Sequence, residues 1–409
     1  MRAMIDMLVA GGGYVGLSLA VAVKMAAPHL EIAVVDGAPQ SAWERDERAS
    51  AIVAAARNLL DVLGVWPEIA DKAEPIRRMI ITDSRTADPV RPVFLTFEDA
   101  SSDQEGSPFA HMVENRDMTR SLLGKAAALG VSVRWSTTAE GFATGQHSVA
   151  VQLSDGTSVE TRLLVACDGV RSRLRDAAGI KTVRFDYGQS GIVTTVEHER
   201  PHEGTAEEHF LPAGPFATLP LRGNRSSLVW TERTEDARKL VESDELVFEE
   251  ELERRFSHKL GALTLAGGRK AFPLGLTLAR GFVAPRFALA GDAAHGIHPI
   301  SGQGLNLGFK DVAALAETVV EADRLGLDIG ALSVLERYET WRRFDTFRMG
   351  VTTDVLNRLF SNDITPVRML RDLGLGIVDR LPGLKSYFIG QAKGISGSDL
   401  PRMLVGQPI

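Results

Sequence analysis

Gly11, Gly13 and Gly16 stand as G-x-G-x-x-G inside the stretch "MLVAGGGYVGLSLAVAVKMAAPHLEIAVVD", Met7 to Asp36. The apolar run before them reads as a buried strand, "LSLAVAVKMAA" as a helix, and "IAVVD" as a second strand ending in Asp36. Each glycine has a physical task. Gly11 permits the tight turn out of the strand, Gly13 lets the backbone approach a pyrophosphate, and Gly16 lets helix and strand pack closely. The start of that helix offers unpaired N–H groups and a partial positive charge to a phosphate, with Tyr14 and Val15, between the glycines, as further candidate cofactor contacts. Asp36 lies 20 residues past Gly16, where a carboxylate can accept hydrogen bonds from a ribose 2′-OH. That acid favours FAD or NAD over NADP, and the motif alone does not separate the first two.

Two later stretches repeat the theme of an apolar strand ending in Gly and Asp. In "RLLVACDGVRSRLRDAAGI", Arg162 to Ile180, the strand ends at Asp168-Gly169 and a helix with Arg171, Arg173 and Arg175 follows. Ser172 is placed to bond the backbone near that helix's start. Taken alone, the segment is as readily a plain Asp-Gly turn. In "RFALAGDAAHGIHPISGQGLNLGFKDVAALAETV", Arg286 to Val319, the strand ends at Gly291-Asp292 and a loop carries His295, His298 and Pro299. Gly302-Gln303-Gly304 then opens a helix expected from about Leu305 to Ala322. Backbone N–H groups exposed there suit a developing negative charge. Asp292 is more sensible as an acceptor for ligand hydroxyls than as a bare buried charge.

Other residues invite chemistry and are better read plainly. His295 and His298 sit three apart without third and fourth ligands, so no metal site is expected. Cys167 ends a buried strand and reads as a small core hydrophobe. Trp230 fits either a cavity wall or a plain core position. His198, His202 and His209 have no evident partner, which makes the surface their default.

The chain that must position these residues is ample. Its 409 residues suffice for two or three domains, or two interleaved ones. Hydrophobic content of 44% and charged content of 24% are those of a soluble globular protein. The net charge of −7 speaks against nucleic acid or acidic lipid as a partner of the whole surface. One cysteine excludes an intramolecular disulfide framework and fits a reducing cytoplasm. The 17 residues from Met7 to Val23 carry no charge, the lower limit for a bilayer span. Asp6 directly before them and the interrupting glycines fit neither an anchor nor a secretory signal.

The glycine motif, "CDGVRSRLR" and "GDAAHGIHPISGQGLNLGFKD", in this order and at these separations, resemble the flavoprotein aromatic hydroxylases (group A monooxygenases). "MVENRDM", "HFLPAGPFATLPL" (His209 to Leu221), "SLVWT" (Ser227 to Thr231) and "TTDVLNRLF" (Thr352 to Phe360) narrow the resemblance to the ubiquinone-biosynthesis hydroxylases. It covers nearly the whole chain, apart from Thr86 to Phe109 and from Lys393 onward. The resemblance implies an α/β fold: a Rossmann-like FAD-binding domain of the para-hydroxybenzoate hydroxylase type, an inserted sheet-rich substrate domain and C-terminal helices. It implies that Gly291-Asp292 binds the ribityl chain of FAD. The loop from Pro299 to Asn306, with Gly302, Gln303, Gly304 and Leu305, would lie against the isoalloxazine ring, backbone N–H groups near its N1–C2 carbonyl edge. Asp168 is implicated in FAD binding and nicotinamide access. Arg48, in "DERASAI", matches an arginine that reaches the cofactor, and Arg116 one on the helix lining FAD.

The implied activity is hydroxylation of an aromatic ring through a flavin C4a-hydroperoxide, on a polyprenyl-phenol intermediate of ubiquinone biosynthesis. O2 is the co-substrate, and the electron donor is NAD(P)H or a redox protein. A hydroxylase of a small soluble phenol and a flavin-bearing assembly protein are the alternatives; a simple NAD dehydrogenase leaves the Gly-Asp loop unexplained. Ring attack is helped if a phenol ionises, so a buried base is expected, and no residue in the sequence singles itself out for it.

Three separated stretches serving one cofactor make a discontinuous FAD domain, expected at 1–80, 110–182 and 275–345. The substrate domain is expected at 81–109 and 183–274, with strands and the Gly223-Asn224 turn, then a helix over Thr234 to Phe256. Phe97 to Phe109 is polar, acidic and rich in breakers, a surface loop. A C-terminal helical region is expected at 346–409. From Arg343 to Ile409 there are nine Arg or Lys and six Asp or Glu. Helices packed on the FAD domain are the plain reading of this region. A face toward lipid or a biosynthetic complex, with peripheral location on the inner membrane, is the sharper one.

Overall fold

The computed structural model describes residues 4–84, 93–98, 108–256, 258–298, 302–360 and 400–409. The first sheet has eight strands, and five of them are parallel, in the order Phe287–Leu289, Ser158–Ala166, Ile5–Ala10, Ile32–Val35, Ser132–Arg134; Val283–Ala284, Val149–Leu153 and Ala139–Thr144 add antiparallel pairings. Met7 stands opposite both Leu163 and Ile32. The residues of "MLVA" and "IAVV" are all buried, as parallel strands covered on both faces require. Helix Tyr14–Ala26 buries every residue from Gly16 to Lys24. It packs against helices Gly304–Arg324 and Asn115–Ala128, which explains why it is apolar all round.

The second sheet has nine strands. Its spine is Thr182–His198, paired antiparallel with Arg225–Arg233 on one side and with Lys270–Ala279 and Leu263–Leu265 on the other. Beyond Arg225–Arg233 come Gly214–Leu221, Thr205–Leu211, Arg78–Asp83 and Val93–Glu98. Strand alternation splits the residues of Arg225–Arg233 between two faces. Leu228 and Trp230 pack under helices Thr234–Glu242 and Glu245–Phe256, with Phe216 and Phe248, while Val229 and Thr231 look into a cavity. Trp230 is therefore core. It is fully buried, donates Nε1–H to Glu232 at 2.9 Å and carries the Arg255 guanidinium 4.5 Å over its ring. At the other edge, the short strand His295–Gly296 pairs with Lys270–Ala279, His295 opposite Leu278. The Gly-Asp loop is thereby tied to the second sheet. A small sheet of Ala49–Val53, Ala110–Glu114 and Glu74–Ile76 closes the side.

Some expectations change. The helix expected over Thr234 to Phe256 is two helices, broken at Ser243, whose backbone is extended. The default surface placement of the histidines is corrected. His198 and His209 are buried. His198 bonds Arg200 O at 2.7 Å and Ser226 Oγ at 3.1 Å; His209 bonds Thr82 Oγ1 at 2.6 Å and Ser84 Oγ at 3.0 Å. Half-buried His202 reaches Leu221 O at 2.7 Å. Partners on neighbouring strands offset the cost of burying these rings. The long helix Leu332–Phe360 carries the C-terminal region, and Arg402–Val405 returns to the helix Ala54–Val62, where Asn58 Nδ2 donates to Leu404 O at 3.0 Å. Residues 361–399 and most of the Phe97 to Phe109 loop lie outside the described residues. Among the described residues no helix is long and apolar enough to cross a membrane.

Candidate active site

Two adjoining cavities lie between the sheets and share Gly13 and Tyr14. One, about 490 Å³, runs past Asp36, Trp135 and the segment Arg45 to Arg48. The other, about 530 Å³, runs past Val15, Gly16 and Asp292 to Gly302, Gln303, Gly304 and Leu305, under a sheet face that includes Ala217 and Val229.

The three glycines of the first motif differ in what surrounds them. At Gly11 φ is +116°, and a Cβ would stand 2.2 Å from Cys167 O. A Cβ at Gly16 would stand 2.0 Å from Gly11 O. Gly13 is different: its φ of −75° suits any residue, and no atom lies within 4 Å of where a Cβ would be. Its open side faces the cavities. Helix Tyr14–Ala26 has no side-chain cap and no acid in its first turn, and neither has helix Gly304–Arg324. Two helix starts thus bring unpaired N–H groups to one cavity, where two anionic groups would be held. This cradle fits the pyrophosphate and the electron-rich ring edge of FAD.

Asp36 is committed to the loop itself. Its carboxylate accepts from Gly12 N at 2.6 Å and Ala38 N at 2.7 Å, while lining the first cavity. Arg48 is gripped by Asp46, with Nε and Nη2 both at 2.8 Å, and its Nη2 also donates to Tyr14 Oη at 3.4 Å. Asn115 Nδ2 donates to the same Tyr14 oxygen at 2.9 Å. Burial is the largest influence raising the Tyr14 hydroxyl above its ordinary range, partly offset by Arg48. Asp46 and Asn115 are site-shaping residues that sequence reasoning missed; "DER" and "EN" carry no distinguishing spacing.

Asp292 opens into the cavity and makes no hydrogen bond to a described residue. The surrounding protein raises its carboxyl by desolvation, opposed by His295 and Arg48. Behind it sits a buried ionic network. Asp311, fully buried, accepts from Gly291 N at 2.9 Å, His295 Nε2 at 2.5 Å and Arg342 Nε at 2.8 Å. Burial alone would raise Asp311; His295 and Arg342 overcome it and hold the carboxyl low. Gly291, at φ +62°, turns over Val15, and Arg175 donates to Ala293 O at 2.9 Å and Val170 O at 3.1 Å. Arg342 and Arg175 thus fix the turn that presents Asp292. Arg342 carried no sequence signal, and the reach of Arg175 to Ala293 O, 118 residues away, could not be read from its place in "VRSRLR".

Some expected site residues stand behind the wall. Asn306 spends its amide on Ala51 O at 2.9 Å, Gly302 O at 3.0 Å and Val53 N at 3.2 Å. Gly11 and Gly291 shape the turns without lining either cavity, whereas Cys167 and Gly169 line the larger one. Asp168 lies between those two, exposed, with Ser172 as a partner; Ser172 Oγ caps its helix at Arg175 N, 3.0 Å, as expected. Cys167 is less of a core residue than expected, half-buried on the cavity wall, its thiol pushed well up by burial. Arg116 turns to Glu114 at 2.5 Å and lines neither cavity. Pro299 lies outside the described residues. His295, on its short strand, and His298, just beyond it, are both buried; burial lowers His298 to about 4, so it is neutral near pH 7. Among the described residues no group of three or more His, Cys, Asp or Glu is placed to hold a metal.

Comparison with known proteins accords with this geometry. A family model described as an FAD binding domain matches residues 4–343. Ubiquinone hydroxylase UbiL of Rhodospirillum rubrum is 44% identical over 99% of this chain and 93% of its own length. The 3-demethoxyubiquinol 3-hydroxylase of Escherichia coli is 33% identical over 95% of this chain and 98% of its own. Among solved structures, p-nitrophenol 4-monooxygenase PnpA from Pseudomonas putida DLL-E4 superposes with a TM-score of 0.80 at 19% identity, covering 98% of this chain and 100% of that one. That likeness shows the fold: an FAD-binding domain of the para-hydroxybenzoate hydroxylase type joined to a sheet-rich domain and C-terminal helices. The chain belongs to the FAD-binding family of aromatic hydroxylases and is an FAD-dependent monooxygenase.

Proposed function

We propose that this chain hydroxylates the aromatic ring of a polyprenyl-phenol precursor of ubiquinone. The observation that carries the reading is a helix start, Gly302 to Leu305, facing an apolar sheet face across one cavity. The 44% identity to a ubiquinone hydroxylase over nearly the full chain supports the substrate class.

In this reading the N–H groups following Gly13 hold the pyrophosphate, and Asp36 stands at the adenosine end. Asp292 accepts hydrogen bonds from the ribityl hydroxyls. Gln303, Gly304 and Leu305, at the positive end of a 21-residue helix, stabilise negative charge at the ring edge. Bound FAD supplies the redox and oxygen-activating chemistry. The chain's task is to orient the substrate ring within reach and to exclude water. Met79, Ala217, Leu219 and Val229 make a dry wall suited to both. Electrons come from NAD(P)H or a redox protein, which anaerobic reduction of the holoenzyme by each donor will separate. The positively charged stretch from Arg343 onward is proposed to meet a membrane surface or partner enzymes that deliver the prenylated substrate.

The test is complementation. A ubiquinone-deficient bacterial strain lacking one ring hydroxylase should regain ubiquinone when it expresses this chain, and the vanished precursor, identified by mass, names the ring position. Restoration of hydroxylation of short soluble phenols alone, with no effect on prenylated precursors, would favour the small-phenol reading instead.

A further inference from the structure

Glu208 lies on strand Thr205–Leu211 between Ile81 and Ala217 of the flanking strands. It is only 7% exposed, and what remains faces the cavity shared by Asp292 and Gly302 to Leu305. Other acids of the same sheet are answered: Glu207 by Lys259, Glu232 by Trp230 and Arg255. No hydrogen bond or ion pair from a described residue reaches the Glu208 carboxyl. A carboxyl left unpaired at the edge of a largely apolar cavity wall indicates a ligand that brings its own polar atom.

We propose that Glu208 is the acid–base group that takes the proton of the substrate's ring hydroxyl and later returns it. The inference rests on the reading of this cavity as the site of a hydroxyl-bearing aromatic ring. As the substrate O–H bond breaks, its proton passes to the Glu208 carboxylate and its electron pair flows into the ring. The ring carbon ortho or para to it then forms the new C–O bond. The O–O bond breaks as this C–O bond forms, so that one oxygen atom enters the ring and the other leaves as water with protons from solvent, the two electrons coming from NAD(P)H or a redox protein by way of FAD. The substituted carbon then loses its hydrogen as a proton to solvent, and the original oxygen regains its proton from Glu208.

The electrostatics suit the task. Burial pushes Glu208 up to about 8, close enough to a phenol for proton transfer, whereas an ordinary carboxylate is too weak a base. On the flanking strands its neighbours are uncharged. The titratable groups sharing the cavity are Tyr14, Cys167, Glu207 and Asp292, and burial is the sole cause of the rise.

The experiment uses the FAD-loaded full chain with a 2-alkylphenol and with its methyl ether, which has no proton to give. In the wild type, coupled hydroxylation of the phenol should rise with pH through about 8. Glu208→Gln should keep FAD, lower phenol hydroxylation on the order of 100-fold, divert O2 to H2O2 and lose the inflection. Glu208→Asp should restore a pH-dependent, partial rate. The infrared C=O band of a protonated carboxyl, present at pH 7 and lost above pH 9, should be absent from Glu208→Gln. A Glu208→Gln enzyme with an unchanged pH profile and coupling would overturn the proposal alone. Wild-type holoenzyme that consumes O2 yet hydroxylates no phenol would overturn the reading beneath it.

Discussion

Gly13 and Gly16 stand three residues apart, and the structure separates what each does. At Gly13 the backbone φ of −75° and ψ of −179° suit alanine, and the added methyl would meet no atom of the chain within 4 Å. Gly13→Ala should therefore stabilise the FAD-free protein by about 0.4–1 kcal/mol, because alanine has less freedom to lose on folding. The same methyl occupies the space through which a pyrophosphate reaches the N–H groups of the helix start. Loss of two hydrogen bonds to a charged oxygen, at about 1.5 kcal/mol or more each, weakens FAD binding by about 3 kcal/mol, on the order of 100-fold. Gly16→Ala puts its methyl 2.0 Å from Gly11 O and 3.1 Å from Val9 Cγ1, so strand and helix must part. It should cost about 1–3 kcal/mol in the FAD-free protein as well as weaken binding. Urea unfolding of the FAD-free variants and titration with FAD, followed by quenching of flavin fluorescence, read the two quantities independently. A Gly13→Ala protein that binds FAD like the wild type would refute the cradle. One that loses stability without ligand would refute the account of its open side.

Asp292→Ala should leave the FAD-free stability within about 0.5 kcal/mol, since no described residue hydrogen-bonds that carboxylate, yet weaken FAD retention at least tenfold in equilibrium dialysis. Full flavin occupancy in the variant would argue against a ribityl contact. Asp311→Asn leaves Arg342 buried with half its compensation and should cost about 3–5 kcal/mol by urea denaturation, with FAD lost through the displaced Gly291 turn. The pH dependence of unfolding carries two signs. Asp345 is held at about 2 although burial would raise it, because Lys310 and Arg342 lower it, so its contribution is present above 3.8 and lost as the pH falls toward about 2. Glu208 acts oppositely. It favours folding below 4.5, and that advantage disappears as the pH rises to about 8, up to about 5 kcal/mol. Glu208→Gln should flatten that alkaline decline; an equal decline in both proteins would contradict the assignment.

The strand–glycine–helix opening was legible because every requirement is local. "MLVA", the glycines and "IAVVD" each fix a neighbour within a few residues, and the helix from Gly304 begins one residue before its expected start. The turns at Gly11 and Gly291 were legible for the same reason. What the sequence concealed is non-local. Asp46 and Asn115 meet at Tyr14 from three segments, and Asp311, His295 and Arg342 meet from three more. Asn306, read by resemblance as a cofactor contact, has its amide used by Ala51, Val53 and Gly302. The buried base expected for a phenol had no visible signature because "EEHF" looks like any acidic strand; burial and lack of a partner set Glu208 apart, and both are properties of the folded sheet. The histidines of the second sheet were misplaced because their partners sit on adjacent strands.

A crystal structure of the full chain with FAD and a 2-alkylphenol bears most directly on the central claim, that three sequence-distant stretches hold one flavin beside a dry aromatic site. The pyrophosphate should lie at the start of helix Tyr14–Ala26, the ribityl chain at Asp292, and the ring system against Gly302 to Leu305, with the phenol oxygen within hydrogen-bond reach of Glu208. Flavin density elsewhere, or a phenol bound away from the sheet face that carries Ala217 and Val229, would contradict it.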